Sequence, residues 1–283
     1  MTDQNYHLLG VMGAPVMHSR SPLMHNYWFK QTGLPGKYIY LPLPPERLSA
    51  ALRALPALNF AGCNLTIPHK IQAMELVDEV DEVARRIGAI SCVVVRKDGS
   101  LLGTNNDWLG FLGNLKQSAP NWRGNAGPAT VIGAGGGSRA VCHALLSEEV
   151  PEIRLVNRSQ ARAETLAEDI GGPITVLPWD QRHAALEGAN TVVNTTSLGM
   201  VGQPALDLQL EALAQHTTVA DIIYTPLETQ FLTAARARGN ITAGGLGMLL
   251  HQGPPAWKLW FGLTPEVTPE LRGMMEASIT GQP

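Results

Sequence analysis

Cysteine is scarce. Cys63, Cys92 and Cys142 are an odd number at wide spacings in 283 residues, which excludes a disulfide framework and a paired-cysteine metal site. Three free thiols suit a reducing compartment. The eight histidines show no His-x-x-x-His or similar cluster, so no metal is expected. Charge of one sign is also lacking: 21 Lys and Arg against 24 Asp and Glu give a net −3, with no basic field for nucleic acid and no polybasic membrane anchor. No apolar run is long enough to span a bilayer. The opening Met1-Thr-Asp-Gln-Asn5 lacks the basic start and apolar core of a signal peptide, so the cytoplasm is the expected location. There is no internal repeat, low-complexity tract or appended DNA-binding segment.

What is there is a 45% hydrophobic globular chain, long enough for two domains. Strands alternate with helices almost throughout, which implies α/β architecture with mostly parallel sheets. Strands are expected over His7–Met12, Tyr38–Leu43, Ala61–Leu65 and Ala89–Val95, and helices over Ser21–Gln31 and Glu46–Leu55. Ile71–Ile87 reads as one amphipathic segment, Asp98-Gly99 as a hairpin turn, and Trp108–Gln117 as a helix. Later strands are expected at Thr175–Leu177, Thr191–Asn194, Val219–Asp221 and Asn240–Ala243, with a helix over Thr229–Arg238. The apolar tail with Trp257, Trp260 and Phe261 is too short to stand alone. The expected organisation is therefore a substrate domain over 1–107, an inserted Rossmann-type dinucleotide domain over 108–243, and helices over 244–283 that return to the first domain.

The most informative stretch is Thr130 to Arg162. An apolar strand, Thr130–Ile132, runs into Gly133-Ala-Gly135-Gly136-Gly137-Ser138, and a helix follows with Val141, Ala144 and Leu145 on one face. In a dinucleotide site the first glycine makes the tight turn, the next lets the backbone approach the pyrophosphate, and small Ser138 allows close helix packing. The helix N-terminus supplies amide donors and the positive end of its dipole. The second strand, Ile153–Val156, ends in Asn157-Arg158-Ser159, with Arg162 one turn on. A site for NAD carries an acid about 20 residues past the glycines. Two guanidinium groups there instead attract a 2′-phosphate, so NADP is the expected cofactor, with NAD left open. Ser159 also suits a helix N-cap with the arginines in water.

The first domain concentrates polar groups in turns. His18-Ser19-Arg20-Ser21-Pro22 sets two hydroxyls just before a helix, suited to a carboxylate or to simple capping by Ser21 with Pro22 in the first turn. Asn64-Leu-Thr66-Ile-Pro68-His69-Lys70 ends an apolar strand and puts Lys70 where open α/β sheets bind ligands. An isolated lysine is a poor proton-transfer group at neutral pH, so catalysis requires desolvation or a partner; Asp107 is the candidate. Taken singly, Lys70 also suits a solvent-facing position and Asp107 a helix cap.

Together these motifs resemble the shikimate dehydrogenase family, which includes quinate and aminoshikimate dehydrogenases. The resemblance also takes in Gly88-Ala89, Asn105-Asn-Asp107, Asn194-Thr-Thr-Ser197, Asp221-Ile-Ile-Tyr224-Thr-Pro226 and Gly245-Leu-Gly247-Met248-Leu-Leu-His-Gln252. It implies that Ser19 and Ser21 bind the substrate carboxylate with Tyr224 nearby, and that Lys70 and Asp107 form the catalytic dyad. Asn64, Thr66 and Gln252 match further substrate contacts, and Ser91 stands at another. Asn157, Arg158, Ser159 and Arg162 match the basic pattern around the 2′-phosphate, and Thr195, Thr196, Ser197 and Met248 match positions near the nucleotide. Gly245 and Gly247 match the crossing back to the first domain.

Three stretches depart from the family pattern. Gly88-Ala-Ile-Ser91-Cys92 stands where Gly-Ala-hydrophobic-Asn-Thr is usual, and the shorter Ser91 does not span the distance of the Asn amide to a ring hydroxyl. Asn105-Asn106-Asp107-Trp108 replaces Asn-Thr-Asp-Gly, setting an indole beside the acid, and Pro254-Pro255 follows Gln252 where helix formers are usual. The expectation is a dehydrogenase moving hydride reversibly between NADP(H) and a ring hydroxyl or ketone of a shikimate- or quinate-like carboxylic acid. Monomer and homodimer both remain open. Ser91 and Trp108 favour, as the alternative in the same class, a different cyclic hydroxy acid. A non-catalytic nucleotide or metabolite sensor is the alternative in another class, against which Lys70 and Asp107 argue.

Overall fold

A computed structural model describes residues 6–281, so Met1-Thr-Asp-Gln-Asn5 lies outside the described residues. The chain opens with β1 (His7–Gly13), α1 (Ser21–Thr32), β2 (Gly36–Pro42), α2 (Leu48–Ala54) and β3 (Phe60–Leu65). It continues with α3 (His69–Gln72), β4 (Glu79–Val80), α4 (Glu82–Ile87), β5 (Cys92–Val95) and β6 (Leu101–Thr104). After α5 (Asp107–Ser118) come β7 (Ala129–Ile132), α6 (Gly136–Ser147), β8 (Ile153–Val156), α7 (Gln160–Ile170) and β9 (Ile174–Leu177). Next are β10 (Thr191–Asn194), β11 (Thr218–Asp221), α8 (Gln230–Ala237), β12 (Thr242–Ala243) and α9 (Gly245–His251). Two helices close the chain: α10 (Gly253–Phe261) and α11 (Pro269–Thr280).

Two compact units result, one of Met1–Asn106 with Gln252–Ala277, the other of Asp107–His251 with the chain from Ser278 on. The expected return at 244 differs from this division, which falls at Gln252. Helix α9 stays with the second unit because it lies against α5 without space for a side chain between them. A Cβ on Gly247 would fall 1.7 Å from Asn114 Oδ1, and Asn114 Nδ2 donates to Gly244 O at 2.9 Å.

The first unit holds a six-stranded sheet in the order β2-β1-β3-β5-β6-β4. It is mixed: the pairings β1–β2, β1–β3 and β4–β6 are parallel, while β5 pairs antiparallel with both β3 and β6. The hairpin at Asp98-Gly99 explains the second pairing, since Asp98 Oδ1 accepts from both Ser100 N and Oγ while Gly99 takes a φ of +84°. Ile71–Ile87 is not one helix. After α3 the chain contributes the two-residue strand β4, and Asp81 then caps α4 by accepting from Ala84 N at 2.6 Å. Leu48, Leu52 and Leu55 from the α2 region pack against Phe60, Cys63, Leu65, Val93 and Leu101 of the sheet.

The aromatic tail completes this unit. Pro254 and Pro255 fall in the first turn of α10, where a missing N–H breaks no helix bond. Trp257 is fully buried, packs on Trp28, Phe29 and Phe261, and donates from Nε1 to His25 Nδ1 at 2.8 Å. Trp260 Nε1 donates to Val93 O at 3.0 Å, and Trp28 Nε1 to Glu266 O at 3.0 Å. Each buried indole therefore has an acceptor for its one N–H. Truncating such a side chain costs about 3–5 kcal/mol.

The second unit carries a wholly parallel sheet, β12-β11-β10-β7-β8-β9. The strand order reverses between β7 and β10, and ligands of such sheets bind beyond the carboxyl ends of the strands at that reversal. Phe111, Leu115, Val141, Leu145, Leu155 and Val193 are among its core residues.

Burial lowers the pKa of His25 from its ordinary 6.5 to about 3, so the ring is neutral and accepts from Trp257. The unfolded chain binds this proton below pH 6.5 and the folded chain does not, so stability falls as pH drops from 6.5 towards 3. We expect His25→Gln to flatten the acid side of the stability curve by up to about 1.4 kcal/mol per pH unit, read from urea midpoints between pH 7 and 4. Parallel curves for the two proteins would remove His25 as the origin.

Candidate active site

The substrate-side residues are assembled by the segment that leaves α4. Gly88, in the left-handed region at φ +70°, ends the helix and turns the chain toward β5. Before the ladder begins, four backbone groups and one hydroxyl bind other segments. Ile90 N donates to Lys70 O at 2.8 Å, and Ser91 N to Thr104 O at 2.9 Å. Ser91 O accepts from Leu65 N at 3.0 Å and from Asn64 Nδ2 at 3.1 Å. Ala89 O accepts from Asn105 Nδ2 at 2.9 Å, and Ser91 Oγ from Asn106 N at 2.9 Å. Lys70, Asn64 and the turn that leads into Asp107 are thus fixed on three consecutive residues, Ala89-Ile-Ser91.

Other side chains hold these positions from behind. Tyr38 OH donates to Asn64 Oδ1 at 2.8 Å, so both ends of the Asn64 amide are engaged. Burial raises the Tyr38 pKa well above 10, which keeps it a donor. Buried His69 sets its Nε2 2.8 Å from Leu43 O and anchors the turn that carries Lys70. Burial lowers the His69 pKa, against the opposite pull of that carbonyl, so the neutral ring donates from Nε2. Thr66 and Gln252 are half-buried in the same unit. The serine pair is buried before and at the start of α1: Ser19 Oγ donates to Ser21 Oγ at 3.2 Å and accepts from Ser21 N at 3.3 Å, while Tyr40 OH donates to Ser19 O. Ser21 is not the cap; it is the first helical residue, and Arg20 holds the cap position without a side-chain bond. Asp107 is buried at the start of α5. Asp107 and Tyr224 belong to the second unit.

In that second unit Gly133 follows β7 with φ +116°, and a Cβ there would lie 2.5 Å from Thr195 Oγ1. Ser138 Oγ donates to Gly133 O and lies against Thr195 Oγ1, so one small hydroxyl joins α6 to both turns. Nothing lies within 4 Å of a Cβ built on Gly135, and α6 begins at Gly136 with its first amides unused by the helix. Asn157 Nδ2 donates to Ser159 O at 2.8 Å. Ser159 sits at the cap position of α7 but makes no cap bond. Arg158 and Arg162 are exposed and have no hydrogen-bond or ion-pair partner among the described residues. The open turn, the free helix amides and the two unpaired guanidinium groups fit the phosphates of NADP.

Thr195 and Thr196 spend their hydroxyls inside the protein, on Ile132 O and Asn194 Oδ1 respectively. Ser197 is exposed. Gly245 N donates to Ile223 O, and a Cβ there would lie 2.3 Å from Ile222 O, so Gly245 serves close packing; Met248 packs on the core.

A family model for the shikimate dehydrogenase substrate binding domain matches residues 11–93, and one for shikimate / quinate 5-dehydrogenase matches 116–222. A shikimate dehydrogenase (NADP(+)) from Paramagnetospirillum magneticum is 53% identical over 268 residues, covering 95% of this chain and 97% of its relative. The chain belongs to the shikimate dehydrogenase family. Among solved members, the shikimate 5-dehydrogenase from Thermus thermophilus in complex with NADP(H) and shikimate superposes with a TM-score of 0.84 at 37% identity, over 96% of this chain and 98% of that one. The quinate dehydrogenase from Corynebacterium glutamicum in complex with NAD gives 0.88 at 30% identity, over 98% and 100%.

Against the shikimate dehydrogenase pattern, two departures have structural explanations. Trp108 packs on the core of the second unit and meets His143 edge to face at 5.2 Å. The proline pair is absorbed by the first turn of α10. Ser91 and Asn106 are the departures among the assembled residues, joined by the bond from Asn106 N to Ser91 Oγ. Sequence reading gave no role to Tyr38, His69, Asn194 or Asp221. The last two end adjacent parallel strands, in register. Asp221 accepts from Asn194 Nδ2, Thr229 Oγ1 and Ile223 N, while Asn194 Nδ2 also reaches Leu198 O and shapes the Thr195–Ser197 turn. Burial pushes the Asp221 pKa up to about 6, opposed by those three donors. We expect Arg158→Ala or Arg162→Ala to raise KM for NADP+ about tenfold each and leave KM for NAD+ unchanged, as measured by initial rates. Equal effects on both cofactors would remove the arginines from the 2′-phosphate.

Proposed function

We propose that this protein is an NADP-dependent dehydrogenase that interconverts the ring hydroxyl and ketone of shikimate, in the cytoplasm. The reading is carried by one observation: the Ala89–Ser91 segment fixes Asn64, Lys70 and the Asn105–Asn106 turn in one unit, and the other unit has a nucleotide turn flanked by unpaired arginines. The names of the relatives supply the substrate and the cofactor.

Ser19 and Ser21 bind the substrate carboxylate, assisted by Tyr224, as hydroxyl donors before and at a helix start. Asn64, Thr66 and Gln252 orient the ring. Lys70 hydrogen-bonds the reacting oxygen; its neutral amine takes the hydroxyl proton when the alcohol is oxidised, and the ammonium so formed returns that proton when the ketone is reduced. Asp107 hydrogen-bonds the substrate and keeps Lys70 in position. NADP, when bound, supplies the acceptor or donor of hydride at the carbinol carbon. Gly133, Gly135 and the amides of Gly136, Gly137 and Ser138 hold the pyrophosphate, and Arg158 and Arg162, with Asn157 and Ser159, hold the 2′-phosphate. Because hydride transfer requires contact, these positioning roles supply much of the rate.

Initial rates with NADP+ and NAD+, each crossed with shikimate and quinate, test the reading. We expect NADP+ with shikimate to lead, and Lys70→Ala to lower its kcat by about 10²–10⁴ with unchanged NADP+ binding. Firm NADP+ binding without turnover of shikimate would favour the other cyclic hydroxy acid to which Ser91 points, and full turnover by Lys70→Ala would end its catalytic assignment.

A further inference from the structure

Asn106 is 3% exposed, and its side-chain Nδ2 is buried with no hydrogen-bond partner. A buried amide donor left unmade is costly and calls for an explanation. The neighbouring amides do not share this state: Asn64 Nδ2 is spent on Ser91 O and Asn105 Nδ2 on Ala89 O. The backbone of Asn106 is fixed, because its N–H is donated to Ser91 Oγ at 2.9 Å. The unspent donor thus belongs to a residue one position before Asp107 and tied to the segment that holds Lys70 and Asn64.

Positions 91 and 106 depart from the family pattern together. Where Asn and Thr are usual, this chain has Ser91 and Asn106, so the hydroxyl and the amide have changed places. Ser91 Oγ serves as an acceptor for the chain at 106, and the amide that position 91 lacks stands at 106 with its donor unused. We infer that Asn106 is a specificity-determining residue whose Nδ2 donates to the ring hydroxyl beside the reacting one, in place of the asparagine missing at position 91. This rests on the reading of the protein as a dehydrogenase of a shikimate-like acid, and it names which group reads that ring. It also explains how Ser91 is compatible with shikimate.

The test is a swap. Asn106→Thr lowers kcat/KM for shikimate about tenfold or more, with KM for NADP+ unchanged. Ser91→Asn with Asn106→Thr, which restores the family pair, recovers most of that loss. On an analogue lacking the neighbouring hydroxyl, wild type and Asn106→Thr act equally, which a merely structural role of Asn106 would not produce. Asn106→Ser carries the same expectation should Asn106→Thr fold poorly. Asn106→Thr matching wild type on shikimate, an equal loss on both substrates, or a double variant no better than Asn106→Thr would each overturn the inference. A wild type inert toward shikimate overturns the functional reading itself and this inference with it; an active wild type with an indifferent Asn106→Thr overturns only the inference.

Discussion

The hydrogen bonds of Ala89, Ile90 and Ser91 are the constraint on which the substrate side depends. The left-handed Gly88 has ended α4, and β5 begins only at Cys92. Apart from Ala89 N, which donates back to Ala84 O, this short stretch therefore lies outside helix and strand, and its last residue meets β3 and β6. Its polar groups are therefore available to segments distant in sequence, and burial requires that they be used. They hold the chain at 64–65, at 70 and at 104–106. The roles proposed for Lys70 and Asp107 need a fixed relation to one substrate oxygen, and a set of directional bonds around three residues restrains the backbone that leads to each.

The nucleotide side solves a similar problem differently. There the turns after β7 and β10 are brought together by parallel pairing, and Gly133 is needed because any side chain would collide with Thr195. The shape of the second turn comes from the buried Asn194–Asp221–Thr229 group, in which each donor has an acceptor. A partly satisfied network of this kind would be a liability in a low-dielectric interior. The turn after β7 is left open at Gly135, and Arg158 and Arg162 after β8 are exposed, with no partner among the described residues.

Much of this was legible in the sequence where local rules decide. The parallel strands of the second unit are short apolar runs, the glycine turn has a mechanism, and β8 and β10 have the expected bounds. The two-residue strand β4 was not legible, because two residues carry no periodicity; Asp81 as a cap was the available signal. The mixed character of the first sheet comes from pairings between distant segments. In the candidate site, the motifs singled out Lys70, Asn64 and the serine pair from sequence. They did not reveal that Ser91 supports Asn106, or that Trp108 belongs to the core, since both depend on which residue each side chain meets after folding. The placement of α9 was hidden for the same reason: in sequence Gly247 matches the crossing back to the first domain, and in the fold it is a close contact with Asn114.

The central claim is that the Ala89–Ser91 segment fixes the turn leading into Asp107, and amide hydrogen exchange tests it most directly. Ser91→Ala removes the acceptor of the Asn106 N–H and leaves the backbone bonds of Ile90 and Leu65 intact. The account predicts faster exchange at Asn106, by about tenfold, with unchanged protection at Ile90 and Leu65 and a lower kcat with shikimate. Unchanged exchange at Asn106, or full activity despite its release, would contradict it.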